Sequence, residues 1–521
     1  MEEGKILYYY KKIKVKRKKL SKGYFILICI ILLFFIFLLF HLKVKFYTKE
    51  IFYKSKKSVL FQNNISILLP GKKCPNQNLR TLYLKRISYK NKYDKPNNNY
   101  PKITAINDYK PVFFTKSYDF REKKLKALGF NLNNTIDMYG LYLVPYTIDK
   151  NFKKKIKNVI VNKYQKINRF LNFNEYVSKS LLYINYKNMK KIFPLDYDFM
   201  LETYSYPEDK LEIQQKFKNY EFKISPGHDL WLLKPKSGTF GAHISFLENV
   251  TEIKNDYLIT KFLTPPHLIR GHKYDLRFHA LVTSIRPLKL YFYNEGLVRI
   301  ASEIYDSEHL KSKYTLLTNL MINIKNKKKF IYPKNLTNME VSNLWNLETF
   351  RNYCERKGIN YNSLYEKVVD IFIKMMFSVR KKIIEEIDKY KLHSSNFYHI
   401  IGFDIIFDEN LKPYLLEANR RCGFRDDNDA EKYYTHNIIA DTLNLVGLRL
   451  IDKKNNEIYN NDNQYKDNLT ELIDDSLCEL ERPRGGYSLI FPLRDNIQKY
   501  KKYYLGDIPK EDEELWNNLS E

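Results

Sequence analysis

Residues 270–282 alternate polar and apolar side chains along a short stretch, which is typical of a strand with one buried face. The polar face carries Lys273, Asp275, Arg277 and His279, and the apolar face carries Tyr274, Leu276, Phe278, Ala280 and Val282. A solvated sheet face would show the same alternation. A lysine, an aspartate and an arginine in one row also suit a site for a phosphorylated ligand, and arginine is the natural bidentate partner of a carboxylate.

A second apolar segment, residues 400–419, predicts a β-hairpin with its turn at Asp408–Asn410. Glu417 and Asn419 are two residues apart and therefore share one strand face. Across the hairpin, Asp404 falls directly opposite or one diagonal away on that same face. An exposed hairpin face is the simpler interpretation, but the flanking residues are apolar. Acidic groups held together in such surroundings favour a bound cation, and their oxygens are the ligands Mg²⁺ takes.

The remaining periodicity predicts a mixture of strands and helices without strict alternation, so the expected class is α+β. Short strands are predicted at Val112–Phe114, Leu141–Val144 and Leu230–Leu233, a helix followed by a loop at Phe152–Phe170, a long helix at Tyr365–Tyr390 and a second hairpin around Asn294–Gly296. The strand at Leu230–Leu233 delivers Lys234 into a loop that contains Gly238 and Gly241. Backbone N–H groups of such a loop can bind phosphates, although a plain surface turn would look the same.

The N-terminal part of the chain predicts a membrane anchor ahead of the globular region. Residues 1–23 are basic, and Tyr24–Leu42 is apolar apart from His41. That run would span roughly 29 Å as a helix, about one bilayer core. A cleaved signal is the alternative. Residues 43–109 are rich in Lys and Asn and predict an unstructured linker, and the globular region is expected from about residue 110.

The five cysteines are far apart in the sequence and form no Cys-x-x-Cys pair. They are Cys29, Cys74, Cys354, Cys422 and Cys478. This spacing argues against a disulfide framework and against a structural zinc site. We therefore expect reduced thiols, as in a cytosolic domain.

A series of ordered motifs resembles the tubulin-tyrosine-ligase-like family. The motifs are Lys261-Phe-Leu, Leu268-Ile-Arg-Gly-His-Lys-Tyr-Asp-Leu-Arg277, Leu281-Val-Thr-Ser, Tyr293-Asn-Glu-Gly-Leu-Val-Arg299, Leu317-Thr-Asn319, Gly402-Phe-Asp404, Pro413-Tyr-Leu-Leu-Glu-Ala-Asn419 and Arg484-Gly-Gly-Tyr-Ser-Leu-Ile-Phe-Pro492. The resemblance covers roughly residues 110–505. It implies a catalytic domain at 110–450, a C-terminal element of the same domain at 451–505 and an acidic tail at 506–521.

The resemblance also implies an ATP-grasp fold that holds ATP between two antiparallel sheets, and an activity that joins an amino acid to a protein carboxylate. It implies the following roles: Lys234, Gly238, Gly241, Lys261, Lys273, Asp275, Thr318 and Asn319 at the nucleotide, Arg277 and Arg299 at a carboxylate or at developing charge, and Asp404, Glu417 and Asn419 at Mg²⁺. ATP and Mg²⁺ are the expected cofactors. Residues 281–291 look more like the glutamate-adding branches than the tyrosine-adding founder, so free glutamate is the expected amino acid and glycine is the alternative.

The formal net charge of +30 adds to this picture because a basic protein is attracted to acidic surfaces. The acidic surface of tubulin or microtubules fits the resemblance. No zinc-finger or basic-zipper spacing is present in the sequence, so nucleic acid is not expected. Basic residues flank the apolar run on both sides, and the denser cluster ahead of it mildly favours a cytosolic N-terminus. We nevertheless expect the ligase domain in the cytosol and on microtubules, because the implied chemistry needs ATP and tubulin.

Two departures from the family pattern leave a second interpretation open. The usual Arg-Gly-x-Gly-Ile loop reads Phe240-Gly-Ala-His-Ile244 here, so His243 brings a side chain to a glycine position. After the metal residues, Arg420-Arg-Cys-Gly-Phe424 replaces the usual Ser-Pro-Ser. The alternative is therefore a catalytically degenerate, membrane-tethered homologue that binds microtubules.

Overall fold

The structure is a computed structural model of the full chain. It describes residues 65–75, 81–86, 103–105, 112–115, 125, 130–133, 141–143, 164–220, 229–237, 243–306, 312–333, 339–420, 422–424, 429–449 and 468–520. The predicted membrane segment Tyr24–Leu42 and most of the predicted helix at Phe152–Phe170 lie outside these residues. Among the residues described, no helix combines the length and apolar character needed to cross a bilayer.

The largest sheet is antiparallel and is built around one long strand, β13. The strands before it are β1 (Ile65–Leu68), β2 (Thr81–Leu84), β3 (Ile103–Ala105), β4 (Val112–Thr115), β5 (Asn131–Asn133), β6 (Leu141–Leu143), β7 (Lys166–Ile167), β8 (Thr203–Tyr206), β9 (Trp231–Pro235), β10 (Ser245–Phe246), β11 (Tyr257–Lys261) and β12 (Leu268–Ile269). Those of the large sheet proper are β13 (His272–Ile285), β14 (Leu288–Tyr293), β15 (Leu297–Ile300), β16 (Leu344–Asn346), β17 (His399–Phe407), β18 (Pro413–Asn419) and β19 (Tyr487–Phe491).

Each sheet has a simple strand order. The large sheet runs β16-β15-β13-β14-β19, with β12 also on β13, β17 on β13, and β18 on β17. A second antiparallel sheet runs β10-β9-β11-β8, a third runs β2-β1-β3, and a parallel sheet runs β5-β4-β6-β7. The antiparallel sheets and the helices that pack around them confirm the mixed α+β class.

The described helices pack mainly around the large sheet. They are α1 (Asn174–Val177), α2 (Lys179–Ile192), α3 (Lys210–Phe217), α4 (Lys313–Leu316), α5 (Leu320–Asn323), α6 (Leu347–Arg356), α7 (Tyr361–Lys389), α8 (Asp429–Val446), α9 (Leu469–Leu480), α10 (Ile497–Lys501) and α11 (Lys510–Ser520). The long helix α7 confirms the predicted helix at Tyr365–Tyr390. Its apolar stripe, with Val368 and Phe372, joins the apolar face of β13 in the main core.

The predicted hairpin at Asp408–Asn410 is confirmed, whereas the one at Asn294–Gly296 is wrong. In the former, the Asp408 side chain accepts hydrogen bonds from the backbone N–H groups of Asn410 and Lys412 at 3.0 and 2.9 Å. In the latter, β14 and β15 both pair with β13 and not with each other. Gly296 serves a close approach instead, because a Cβ there would lie 2.5 Å from a β13 carbonyl oxygen.

Part of the predicted linker at 43–109 is folded, which corrects that expectation. Strands β1, β2 and β3 form a sheet that docks on α8, where the Asn444 side chain exchanges hydrogen bonds of 2.7 and 2.9 Å with the backbone of Leu84. Cys74 and Cys478 form a buried disulfide that ties the same region to α9. The prediction of unpaired, reduced cysteines is therefore wrong for this pair. The spacing could not reveal the bond because its partners are 404 residues apart.

The predicted acidic tail at 506–521 contains a packed helix, α11. Asp512 is fully buried and accepts hydrogen bonds from the Leu288 backbone N–H at 3.0 Å, from the Tyr504 hydroxyl at 2.8 Å and from Arg380. Leu515 and Trp516 are also buried. One carboxylate of the acidic run is thus part of the folded interior.

Candidate active site

A cavity of about 640 Å³ lies between the β10-β9-β11-β8 sheet and the large sheet. One wall carries Lys234 and Lys261, from β9 and β11, and the other carries the polar face of β13 with residues of β15, β17 and β18. The segment between the short helices α4 and α5 supplies Thr318 and Asn319. The predicted site residues that the structure describes therefore all line one cavity; Gly238 and Gly241 lie outside the described residues.

Strand pairing brings the charged residues of three strands side by side at Asp404. In the register of β13, β17 and β18, Arg277 lies opposite Asp404, and Asp404 lies opposite Glu417. On the other edge of β13, Asp275 lies opposite Arg299. The predicted juxtaposition of Asp404 and Glu417 is confirmed as a direct pair. The polar face of β13 is buried against this cavity, so the solvated-face interpretation is wrong.

Asp404 is held between two guanidinium groups. Arg277 donates to both carboxylate oxygens, at 2.7 Å for Nη2 to Oδ2, and Arg299 Nη2 donates to Oδ2 at 2.8 Å. Burial alone would raise the pKa of this carboxyl, but the two guanidiniums lower that pKa well below its usual range. Asp404 is therefore a carboxylate at every physiological pH.

Asp275 forms the second acidic centre of the site. It accepts a hydrogen bond of 2.6 Å from Arg299 Nε and another from the Thr318 hydroxyl. Burial raises its pKa, nearby Asp404 raises it further, and Arg299 opposes both. Arg299 thus donates hydrogen bonds to both carboxylates and partly neutralises their negative charge, which lowers the repulsion that a bound anion would meet.

Lys234 and Lys273 face the cavity from opposite sheets. Burial lowers the pKa of Lys234 to about 8 and that of Lys273 to about 7. The Lys273 ammonium group also lies 3.9 Å from the centre of the Phe262 ring. Ammonium groups with depressed pKa values in a cavity gain most from a bound anion, and phosphates are an anion of suitable charge.

The three predicted metal ligands meet at one point. Asn419 Nδ2 donates to Glu417 Oε1 at 3.0 Å and to Asp404 Oδ2 at 3.3 Å. A half-turn of this amide presents its oxygen to the same point, so the donor set fits Mg²⁺. No group of three or more His, Cys, Asp and Glu side chains within the described part of the chain could hold a metal. A magnesium ion here would therefore use the asparagine and oxygens from outside the chain.

Two further nucleotide residues have partners in the structure that sequence reasoning missed. Lys261 forms an ion pair of 2.7 Å with Asp229 at the edge of the cavity. Asn319 caps α5, because its side chain accepts from the Met321 backbone N–H at 2.9 Å. Asp229 belongs to none of the quoted motifs, and only its ion pair with Lys261 indicates a role.

Both departures from the family pattern lie at the cavity. His243 adopts a left-handed backbone with φ of 60°, a conformation that favours glycine. The backbone carbonyl of Cys422 accepts hydrogen bonds from Arg277 Nη1 at 3.3 Å and from the ring of His279 at 3.0 Å. The altered segment at Arg420–Phe424 therefore contacts a predicted catalytic arginine.

Comparison with known proteins adds relatives to this geometry. The family described as the tubulin-tyrosine ligase family matches residues 155–458. Human Tubulin polyglutamylase TTLL6 is 29% identical over 413 residues, which cover 74% of this chain and 44% of that protein. Tubulin polyglutamylase ttll-5 of Caenorhabditis elegans is 30% identical over 304 residues, 56% of this chain and 41% of that protein. Human Tubulin monoglutamylase TTLL4 is 29% identical over 296 residues, 56% of this chain and 24% of that protein.

The chain spans less than half the length of these relatives. Its match to the family nevertheless extends over more than half of its own residues and includes the strands that build the cavity. The motifs from Lys261 to Asn419 also lie in this region, and the structure brings their charged residues together. The chain therefore belongs to the tubulin-tyrosine ligase family.

Proposed function

We propose that this chain is an ATP- and Mg²⁺-dependent ligase that adds glutamate to a carboxylate of tubulin or a similar acidic protein. The observation that carries the proposal is the cavity between two antiparallel sheets, where Lys234 and Lys273 face the cluster of Asp404, Glu417 and Asn419. Cations for phosphates and oxygens for Mg²⁺ are the components that carboxylate activation by ATP requires.

Each group of the cavity has a distinct role in this proposal. When bound, ATP and Mg²⁺ would supply activation of the acceptor carboxylate as an acyl phosphate with release of ADP, and the amine of the amino acid would then displace phosphate to form the amide bond. Lys234 and Lys273 stabilise phosphate charge, and Asp404, Glu417 and Asn419 hold the metal. Arg299 lies between Asp275 and Asp404, so it can turn a guanidinium N–H towards a carboxylate in the cavity.

The choice of glutamate and tubulin draws on the relatives. Two of those described above are named as tubulin polyglutamylases and one as a tubulin monoglutamylase. The net charge of +30 supports an acidic protein acceptor because opposite charge speeds encounter.

Mass spectrometry tests the activity directly. Tubulin is incubated with the full chain, ATP, Mg²⁺ and an equimolar mixture of the twenty amino acids, and peptides are searched for added residues. We expect added glutamate that disappears when ATP or Mg²⁺ is left out. Addition of another amino acid would reject glutamate, and absence of any ATP-dependent addition would reject the ligase.

A catalytically degenerate microtubule-binding homologue is the second candidate, favoured by the histidine at the left-handed position 243. It predicts co-sedimentation of the chain with microtubules without any mass increase of tubulin. A Lys234→Ala variant distinguishes the two candidates, because it should abolish ligation while leaving sedimentation unchanged.

We further propose that Tyr24–Leu42 anchors the chain and that the ligase domain faces the cytosol. The Cys74–Cys478 disulfide removes the argument from unpaired cysteines, and the need for ATP and tubulin supports the orientation. Protease added to intact membrane vesicles should digest the domain when only the cytosolic face is exposed. Complete protection until detergent is added would reject this topology, and with it tubulin as the acceptor.

A further inference from the structure

We propose that His279 is a positioning residue, which together with Tyr434 fixes the backbone carbonyl of Cys422 against Arg277. The proposal rests on the proposed function, since Arg277 is a candidate catalytic residue only if the site is a ligase. His279 is not among the residues that line the cavity and carries no role in the mechanism above. Its effect would pass to the site through the segment 422–424.

The imidazole of His279 has a defined partner on each ring nitrogen. Nε2 lies 3.0 Å from the carbonyl oxygen of Cys422, and Nδ1 is bonded to the hydroxyl of Tyr434. Phe424 stacks on the ring, with centroids 5.3 Å apart and planes at 25°. The side chain is completely buried. Contacts on both nitrogens and on one ring face leave this imidazole a single orientation.

These contacts select one protonation state and one tautomer. A carbonyl oxygen can only accept, so Nε2 must carry the hydrogen, and Nδ1 must then accept from the Tyr434 hydroxyl. Burial lowers the pKa of His279 to about 3 and raises that of Tyr434 well above its ordinary value. The imidazole is therefore neutral and the phenol protonated, which is the combination these hydrogen bonds require.

The carbonyl held by His279 completes the coordination of Arg277. Two nitrogens of the Arg277 guanidinium, Nε and Nη2, donate to Asp404, and the third, Nη1, donates to the Cys422 carbonyl at 3.3 Å. Gly423 permits this approach, because its φ is 73° and a Cβ there would lie 3.1 Å from Nη1. Hydrogen bonds at all three nitrogens hold the guanidinium beside the predicted metal ligands.

Kinetics of the full chain test the positioning role. His279→Leu removes both hydrogen bonds. We expect kcat for glutamate ligation to fall about 10- to 100-fold, because a small displacement of an aligned catalytic group lowers the rate by that much. The KM for ATP should change little. His279→Gln retains a donor at its tip and should restore most of kcat. His267→Leu is the matched control: that histidine also contacts a tyrosine hydroxyl, at 2.9 Å, but lies outside the cavity lining. Unchanged kcat in His279→Leu would overturn the proposal.

NMR of ¹⁵N-histidine-labelled protein tests the geometry without relying on ligation. We expect the His279 resonance, identified by its loss in His279→Gln, to show the Nε2–H tautomer between pH 6 and 8. Tyr434→Phe removes one hydroxyl and should shift the Nδ1 resonance. A charged ring or an Nδ1–H tautomer would overturn the proposal, even if His279→Leu fails to fold. If the wild type shows the expected tautomer but ligates nothing, the ligase assignment fails and the hydrogen-bond geometry stands.

Discussion

Glu417 and Asp404 sit opposite each other but are bound differently. Asp404 is bound by two arginines, whereas among the described contacts Glu417 accepts from the Asn419 amide at 3.0 Å. A metal can therefore recruit Glu417 without displacing an arginine. Of the two acidic ligands, Glu417 is the one whose charge should matter most directly for Mg²⁺.

The first prediction concerns Glu417→Gln, which keeps the shape of the side chain and removes its charge. We expect ligation to fall about 10²- to 10³-fold, the range seen when one electrostatic contact at a reacting centre is lost. The melting temperature should change little. Glu409→Gln, at the exposed turn of the same hairpin, is the control for a charge change. Near-normal ligation by Glu417→Gln would show that the metal assignment is wrong.

The second prediction concerns His243→Gly. The backbone at this position has φ of 60°, which glycine adopts without the steric cost that other residues bear. Removing the side chain should also let the loop approach phosphate, so ATP binding should tighten several-fold or turnover should rise. Isothermal calorimetry with ATP measures the affinity. Equal or weaker binding would mean that the loop has adapted to histidine.

The third prediction uses the depressed pKa of Lys273, about 7 in the nucleotide-free protein. Phosphates favour the charged ammonium, so ATP binding above pH 7 should take up about one proton at this lysine, and affinity should fall as pH rises from 7 to 9. Calorimetry at pH 8.5 in buffers of different ionisation enthalpy measures the uptake. The proton uptake should be smaller at pH 6, and it should also be smaller in Lys273→Arg, because the guanidinium stays charged. Equal uptake in both proteins would assign the proton to another group.

At the scale of elements, α11 shows how a charged terminus becomes part of the core. Asp512 and Arg380 are both buried and paired, and Arg380 also donates to the Ile285 carbonyl at 2.9 Å. Removing one member of such a pair leaves an uncompensated buried charge. The helix therefore fastens the end of the β13–β14 hairpin to α7.

The fourth prediction follows from that pair. Asp512→Ala should lower the free energy of unfolding by about 3–5 kcal/mol, the usual cost of breaking a buried ion pair. Urea unfolding followed by circular dichroism measures the change. Glu513→Ala, on the exposed side of the same helix, should change stability by less than about 0.5 kcal/mol. Similar effects of the two substitutions would mean that α11 is not packed as described.

The elements that the sequence predicted well are those whose pattern is local. The alternation along β13, the turn at Asp408–Asn410 and the stripe of α7 each depend on neighbours in the chain. Pairing partners are not encoded in that way. The turn residues at Asn294–Gly296 predicted a hairpin because the sequence gives no sign that the strands on either side both pair with β13.

In the candidate site, too, the features set by local pattern were predicted and the contacts between distant segments were not. The motifs placed Asp404, Glu417 and Asn419 on one face, which the register confirms. Contacts from distant segments, such as the Cys422 carbonyl on Arg277, depend on a chain reversal that no periodicity predicts. The burial of Asp512 near the C-terminus was likewise not predicted, because charge alone indicates an exposed tail.

At the scale of the whole molecule, the disulfide links the N-terminal sheet region to α9, where neighbouring Glu479 is buried against the large sheet. Glu479 binds Lys289 at 2.8 Å, the Thr283 hydroxyl at 2.6 Å and the Tyr291 hydroxyl at 2.9 Å. The disulfide thus attaches the first described strands to α9, which is itself anchored on the large sheet.

The fifth prediction is that loss of this bond destabilises the protein. The double substitution of Cys74 and Cys478 by serine should lower the free energy of unfolding by roughly 2–5 kcal/mol, since the cross-link restricts the unfolded chain. Denaturant unfolding with and without dithiothreitol measures the effect. Reductant should destabilise the wild type and leave the double variant unchanged. Equal sensitivity of both proteins would show that the bond is not formed.

The same bond turns most of the chain into a covalent ring. Its ends are 404 residues apart, so the ring encloses the strands from β2 to β18 and the family motifs from Lys261 to Asn419. A single peptide cut anywhere inside the ring would leave two fragments that migrate as one species until a reductant separates them. The same connection would keep the nicked chain that carries the cavity attached to the N-terminal segment that precedes Cys74.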